Sequence, residues 1–173
     1  GNLNFYSFER DGTVIVEPVI LSREKSEELQ DNLVMFYVGD VRSASSILQE
    51  QDKNIKNGDC EVNQLNLCKL ARELRNELNN GRIDSLGEIL HDGWQLKRTL
   101  ATGISNPLID QYYETAIKNG AIGGKLLGAG GGGFLLFYVK KDKRQDLISN
   151  MSLMEVPFRF DKQGSAIVYV GQK

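Results

Sequence analysis

The chain has 173 residues, 40% of them hydrophobic, which is enough apolar material for the core of one ordinary domain and excludes a disordered or fibrous chain. Lys and Arg number 21 against 23 Asp and Glu, and these interspersed charges sum to −2, which argues against nucleic acids and anionic membranes as partners. No apolar run reaches the ~18 residues that a membrane span requires, and no signal-peptide pattern is found, so we expect a cytoplasmic location.

The first part of the sequence predicts a hairpin, a helix and a buried strand. Residues 2–9 and 13–20 are β-prone, and the Asp-Gly pair that separates them is a strong hairpin signal. Ser22 can cap a short charged helix. Six consecutive apolar residues, 33–38, then predict a strand that is buried on both faces, and a turn with a serine-rich helix start follows it.

The remainder of the sequence predicts four helices and a second group of strands. Helical patterns cover residues 59–80 and 83–100, and a third helix starts at Asn106, directly before a proline, and stops at Gly120. Beyond it the pattern predicts a strand, a short helix and two further strands over residues 134–139, 142–152, 156–160 and 166–170. We predict a single α+β domain over residues 1–173, in which a mostly antiparallel sheet packs against a group of helices.

The first residue and the cysteines bear on whether the chain is a fragment and on whether it holds a disulfide or a metal site. Gly1 stands where a Met would begin a natural chain and is expected to be left from cloning, so we expect a fragment of a longer protein. Cys60 and Cys68 lie ~12 Å apart along one predicted helix, which excludes a disulfide between them. One His and no Cys-x-x-Cys pair provide too few ligands for a zinc or iron–sulfur site, and we expect no metal site.

Glycine is concentrated in one short segment. Eight of the 18 glycines lie between residues 120 and 133, where backbone freedom or close approach must have been needed. A Walker A loop is excluded because Phe134 and Leu135 follow the last glycine in place of Lys and Ser or Thr. The spacing of a dinucleotide-binding loop is present, but a strand and not a helix is predicted after it. A packing loop and a phosphate-facing loop both remain open.

The run from Gly123 to Phe134 resembles the third signature of the GHMP small-molecule kinases, which include galactokinase, homoserine kinase and mevalonate kinase. The order of the surrounding elements resembles the C-terminal half of that family, and within it the bacterial D-glycero-D-manno-heptose 7-phosphate kinases. Fucokinase-like and galactokinase-like members are alternatives. The resemblance implies a ferredoxin-like core and, for the longer enzyme, transfer of the ATP γ-phosphoryl group to a sugar or sugar phosphate with the aid of Mg²⁺.

The resemblance also implies what this chain lacks. The phosphate loop and the catalytic base of the family belong to an N-terminal domain that is absent from these 173 residues. We therefore expect no catalytic residue here, no kinase activity from this chain alone, and the missing domain as a partner. We expect the glycine loop to lie on the nucleotide side of the enzyme and to be exposed in this chain because the N-terminal domain is missing. Its residues are Gly128, Ala129, Gly130, Gly131, Gly132 and Gly133.

Two sets of cationic and hydroxyl residues are candidates for a substrate phosphate. Arg42, Ser43 and Ser45 lie where the buried strand ends and a helix begins, so a guanidinium, hydroxyls and free N–H groups could meet one anion there. Lys97 and Lys125 could reach phosphate oxygens. The alternatives are an ordinary helix cap at Ser43 and solvated positions for the cations.

One helix face is a candidate surface for the sugar. His91, Trp94, Gln95 and Arg98 follow the spacing i, i+3, i+4, i+7, which combines an aromatic ring with polar groups. The alternative is a Trp94 ring in the core with polar neighbours at its rim. His91 is a poor candidate for a general base because no supporting carboxylate is evident.

Two other classes of function remain open from the sequence. A stand-alone, non-catalytic ligand-binding module predicts tight binding of a small molecule by this chain alone. An oligomerisation domain predicts a mass that depends on concentration and no ligand.

Overall fold

The computed structural model describes residues 3–39, 44–58, 60–161 and 163–169. The elements of the first part are β1 (Asn4–Phe8), β2 (Val14–Pro18), α1 (Arg23–Asp31), β3 (Leu33–Gly39), α2 (Ala44–Lys56) and α3 (Glu61–Asn79). Those of the second part are α4 (Ser85–Arg98), α5 (Pro107–Lys118), β4 (Ala121–Leu126), β5 (Gly133–Val139), α6 (Lys141–Asn150) and β6 (Met154–Glu155).

The main sheet is antiparallel and has four strands in the order β4-β5-β3-β6. Its two central strands carry side chains that are fully buried, among them Val34, Phe36, Leu135 and Phe137. Helices α4 and α5 pack on β4, and α3 packs on α4. The predicted α+β domain, with a mostly antiparallel sheet against a group of helices, is confirmed.

The β1–β2 hairpin forms a separate two-stranded sheet. Its inner face meets α3, where the Arg75 guanidinium lies 4.6 Å from the centre of the Phe5 ring and 2.9 Å from a carboxylate oxygen of Glu17. Its outer face leaves apolar side chains exposed, namely Tyr6, Phe8, Val14 and Val16.

Local capping chemistry places the helix starts where the sequence predicts them. The Asn106 side chain accepts hydrogen bonds from the N–H groups of Leu108 and Ile109, with Pro107 at the first helical position. The Ser22 hydroxyl accepts from the N–H of Lys25 at the start of α1. In the described part of the chain no helix is long and apolar enough to cross a membrane.

The structure differs from the sequence-based expectations in its strands. Residues 121–126 form β4, which the glycine content had concealed. The strands predicted over 156–160 and 166–170 do not form in the described residues. After α6 the described strand is Met154–Glu155, which pairs with the edge of β3 that β5 leaves free. A strand requires a partner edge as well as a β-prone sequence, and Ile167, Val168 and Tyr169 lie exposed without one.

Candidate functional site

The glycine segment divides into a strand part and a turn part. In the strand part, a Cβ on Gly123 would collide with the backbone oxygen of Gly87 and lie 2.8 Å from the Cβ of His91. A Cβ on Gly124 would collide with the Leu136 oxygen of the neighbouring strand. Gly123 therefore allows helix α4 to pack directly on the backbone of β4, and Gly124 allows the close approach of β5. Both have the packing role that the sequence left open.

The turn part, residues 127–132, joins β4 to β5 and contains both packed and open glycine positions. The Gly131 N–H donates to the Ile104 carbonyl at 3.0 Å, and Gly131 is buried. A Cβ on Gly130, where φ is +122°, would lie 2.6 Å from the Ile104 Cα. The expectation that the whole turn is exposed in this chain is therefore wrong for Gly130 and Gly131, which pack against the loop before α5.

Gly128, in the turn, and Gly133, the first residue of β5, are less crowded. Both have positive φ, +77° and +101°, and a Cβ on either would meet no atom of the described residues within 4 Å. A glycine is needed here for backbone conformation and not for packing. As far as the described residues extend, backbone without a side chain thus has room beside it at both ends of the turn, as close approach of a ligand requires.

Two lysines lie beside this turn. Lys97, in the last turn of α4, donates a hydrogen bond from Nζ to the Gly128 carbonyl at 2.5 Å, and Lys125 projects from β4. Burial, together with the positive charge of Lys125, lowers the pKa of Lys97 to about 8. Burial also lowers the pKa of Lys125. Within the described ranges neither ammonium is paired with a carboxylate, so positive charge accumulates at the turn.

The predicted sugar face of α4 is mostly occupied by the core. Trp94 is 1% exposed, and its ring centre lies 6.1 Å from that of Tyr113. His91 Nδ1 lies 2.9 Å from the Tyr113 hydroxyl, whose pKa is raised to about 12, mainly by burial. The interpretation of Trp94 as a plate for sugar stacking is therefore corrected to a core residue. Only Gln95 and, in part, His91 and Arg98 reach the surface.

Arg98 supports the loop that holds the glycine turn. Its Nη2 donates to Asp110 Oδ2 at 3.0 Å, and the Ser105 hydroxyl donates to Asp110 Oδ1 at 2.5 Å. Ser105 follows Ile104, whose carbonyl accepts from Gly131. Arg98 is thereby engaged in positioning the turn through Asp110, and the end of α4 holds the turn at two points, through Lys97 and through this relay.

The Arg42 segment can be located only in part. Arg42 and Ser43 lie outside the described residues, whereas Ser45 is exposed in the first turn of α2. Further along α2, Ile47 Cγ1 lies 3.2 Å from where a Cβ of Gly103 would stand, beside Ile104. Helix α2 therefore packs against the same loop that holds the glycine turn.

One other concave surface is less suited to an anion. The surface between α1 and the start of α6 encloses about 620 Å³, and its lining includes the carboxylates of Glu28, Asp31 and Asp142 beside Lys140 and Lys141. In the part of the chain that the structure describes, no group of three or more His, Cys, Asp or Glu side chains is placed to hold a metal ion.

Two positioning residues of the site were missed from the sequence. Gly87 is an isolated helical glycine, and its signal is the cost of glycine inside a helix, which requires a packing reason. Asp110 lies in the first turn of α5, where an acidic residue is ordinary, and nothing in the sequence shows that it joins Arg98 to Ser105.

Comparison with known proteins finds similar sequences and folds. Residues 70–153 match the family model for the C-terminal part of the GHMP kinases. The D-glycero-alpha-D-manno-heptose 7-phosphate kinase of Campylobacter jejuni subsp. jejuni is 31% identical over 169 residues, which are 95% of this chain and 49% of that protein.

Two solved structures resemble the chain in fold. A putative sugar kinase from Campylobacter jejuni superposes with a TM-score of 0.63 at 29% identity, over 92% of this chain and 45% of that one. Mevalonate kinase of L. major, in complex with R-mevalonate, superposes with a TM-score of 0.71 at 20% identity, over 87% and 44%. The chain thus spans about half the length of each of these three relatives.

Proposed function

The chain carries the C-terminal domain of the GHMP kinases over residues 70–153, and from this premise we propose that it is the C-terminal half of an ATP-dependent sugar kinase. The proposed acceptor is a heptose phosphate, as the name of the relative with 31% identity suggests. The proposed reaction moves the ATP γ-phosphoryl group to a sugar hydroxyl.

The observation that supports this proposal best is the glycine turn flanked by two half-buried lysines that meet no carboxylate among the described residues. Phosphoryl transfer depends mainly on positioning and on stabilising negative charge. Open backbone at Gly128 and Gly133 allows a phosphate to approach, and Lys97 and Lys125 supply positive charge beside it. The relay through Asp110 keeps the turn in place.

The remaining roles are divided between this chain and the rest of the proposed enzyme. We assign the turn from Gly128 to Gly133 to the nucleotide side, and Arg42 with Ser43 and Ser45 to the phosphate of the sugar. The phosphate loop and the catalytic base would come from the N-terminal half. Mg²⁺ bound with ATP would offset phosphate charge, and we assign it no ligand among the described residues.

The test is an assay of the longer protein that contains this chain, with ATP, Mg²⁺ and a panel of heptose 7-phosphate, fucose and galactose. We expect phosphoryl transfer to the heptose phosphate, and background turnover from this chain alone. Transfer to another sugar only would correct the substrate. Tight binding without turnover in the longer protein would replace the proposal by a non-catalytic binding module.

A further inference from the structure

The β1–β2 hairpin turns an apolar face away from the rest of the domain. In the register of the two strands, Tyr6 lies opposite Val16 and Phe8 lies opposite Val14, so these four side chains share one face of the hairpin. They are between 48% and 79% exposed, and none of them is charged. A contiguous exposed apolar surface of this kind is typical of an interaction site.

The opposite face of the hairpin is held to the domain by polar contacts. Glu17 accepts a hydrogen bond from Arg75 on α3, whose guanidinium also lies over the Phe5 ring. The Ile20 N–H, just after β2, donates to the side-chain oxygen of Asn79 at 3.0 Å. These contacts determine which face of the hairpin meets α3. Because a two-stranded hairpin is only marginally stable by itself, burial of its outer apolar face would stabilise it further.

The length of the relatives indicates what covers this outer face. This chain spans 49% of the heptose phosphate kinase and 44% and 45% of the two solved structures, and the family model that it matches describes the C-terminal part of the GHMP kinases. The other half of the proposed enzyme would therefore precede β1 and join this chain at the hairpin. A domain that is joined directly to β1 has a high effective concentration at the outer face, which favours contact between them.

We propose that the outer face of the hairpin, formed by Tyr6, Phe8, Val14 and Val16, is the docking face for the N-terminal half of the longer protein. That half would present an uncharged apolar surface, because a charge placed opposite these side chains would lose its hydration without gaining a counter-charge. The hairpin would then lie between α3 on one side and the N-terminal half on the other. The inference rests on the proposed function for the existence of that half, but not for its activity.

Hydrogen exchange compares the hairpin in this chain with the same hairpin in the longer protein. We expect the amides of residues 4–18 to exchange about tenfold more slowly in the longer protein, because opening the hairpin must also separate its outer face from the N-terminal half. Helix α6, which packs on α5 and β5, is the internal reference for any change in global stability. Hairpin exchange that is unchanged relative to α6 would overturn the proposal.

Matched variants identify the face that is responsible. Val16→Thr keeps the β-branched shape but places a hydroxyl on the outer face, and in the longer protein it should speed hairpin exchange about tenfold. In this chain alone the same variant should leave hairpin exchange unchanged, since the face is exposed there. Val62→Thr replaces an exposed valine on α3 and should have no effect in the longer protein. Equal acceleration by Val16→Thr in both proteins, or acceleration by Val62→Thr, would show a general loss of stability, and the proposal would fail.

Two further measurements separate this inference from its competitors. Sedimentation of the longer protein should give the same mass with and without Val16→Thr, whereas a dimer that this variant dissociates would assign the face to a second copy and overturn the proposal. Activity is measured independently of exchange. Phosphoryl transfer together with unchanged hairpin exchange would reject the docking face and leave the kinase proposal intact. Slower hairpin exchange without phosphoryl transfer would support the docking face and reject the enzyme.

Discussion

At the scale of single residues, Lys97 makes the stability of the fold depend on pH. Its pKa is about 8 in the folded chain against the ordinary value of 10.5, because burial and Lys125 disfavour the charged form. Between these values the unfolded chain binds more protons than the folded one. Raising the pH from about 8 towards 10.5 therefore stabilises the folded state relative to the unfolded state through this group.

Lys97→Met removes this dependence. We expect the free energy of unfolding of the natural chain to rise relative to that of the Met variant as the pH increases through that window, measured by urea unfolding at a series of pH values. The difference between the two chains is the relevant quantity, because the other titrating groups are common to both. Parallel curves would show that Lys97 is solvated and has an ordinary pKa.

The glycine turn gives a second prediction at this scale. Gly130→Ala should destabilise this chain by about 2–3 kcal/mol, because the new Cβ would meet the Ile104 backbone in addition to straining a positive φ. Gly128→Ala should cost only about 1 kcal/mol, since φ alone opposes it and the space is open. Thermal unfolding of both variants measures the difference. Equal losses would mean that the division of the turn into packed and open parts is wrong.

At the scale of elements, contact between α4 and β4 determines which helical glycines are needed. A Cβ on Gly87 would lie 2.8 Å from Ile122 Cβ and 3.0 Å from a ring carbon of Tyr138, whereas a Cβ on Gly93 would be 3.8 Å from Leu67 Cδ2, an ordinary contact. The same substitution in the same helix should therefore have opposite effects.

Gly87→Ala should lower the free energy of unfolding by about 1–3 kcal/mol through the forced separation of helix and strand. Gly93→Ala should raise it by about 0.5–1 kcal/mol through helix propensity. Chemical denaturation of the two variants tests both signs at once. Destabilisation by Gly93→Ala would indicate that α4 and α3 pack more closely than these distances allow.

The elements that the sequence predicts well are those decided by local chemistry. The Asp-Gly hairpin and the capped start of α5 depend on neighbouring residues, and both form as expected. Strand β4 is not predicted because its glycines are required by contacts with α4 and β5, which the local sequence does not show. The residues around Val168 have the propensity of a strand, but a strand forms only where the free edge of another strand is available. The local sequence does not show whether such an edge is present.

At the scale of the whole molecule, the sequence predicts only part of the candidate site. The unusual glycine content predicts backbone conformations that other residues rarely adopt, and several glycines of this segment do have positive φ. The pairing of Lys97 with the Gly128 carbonyl joins residues 31 positions apart and has no local signal. A spacing of i, i+3, i+4, i+7 describes a helix face but not whether that face is inside or outside, which is why Trp94 was open to both interpretations.

The assignment of Arg42 belongs to this largest scale, because it concerns the longer enzyme and both of its ligands. If Arg42 holds the phosphate of the sugar, Arg42→Ala should weaken the binding of the sugar phosphate by about 1.5–3 kcal/mol, the value of a charge-assisted hydrogen bond. The KM for the sugar phosphate should rise accordingly. The KM for ATP should not change, since the proposal places ATP at the glycine turn and the sugar phosphate at Arg42. A suitable control is Arg23→Ala, which removes an exposed arginine paired with Glu27 on α1. Steady-state kinetics of both variants measure these values. An unchanged KM for the sugar phosphate would show that Arg42 does not belong to the site. A rise of both KM values together would show that Arg42 acts on one site shared by the two phosphates.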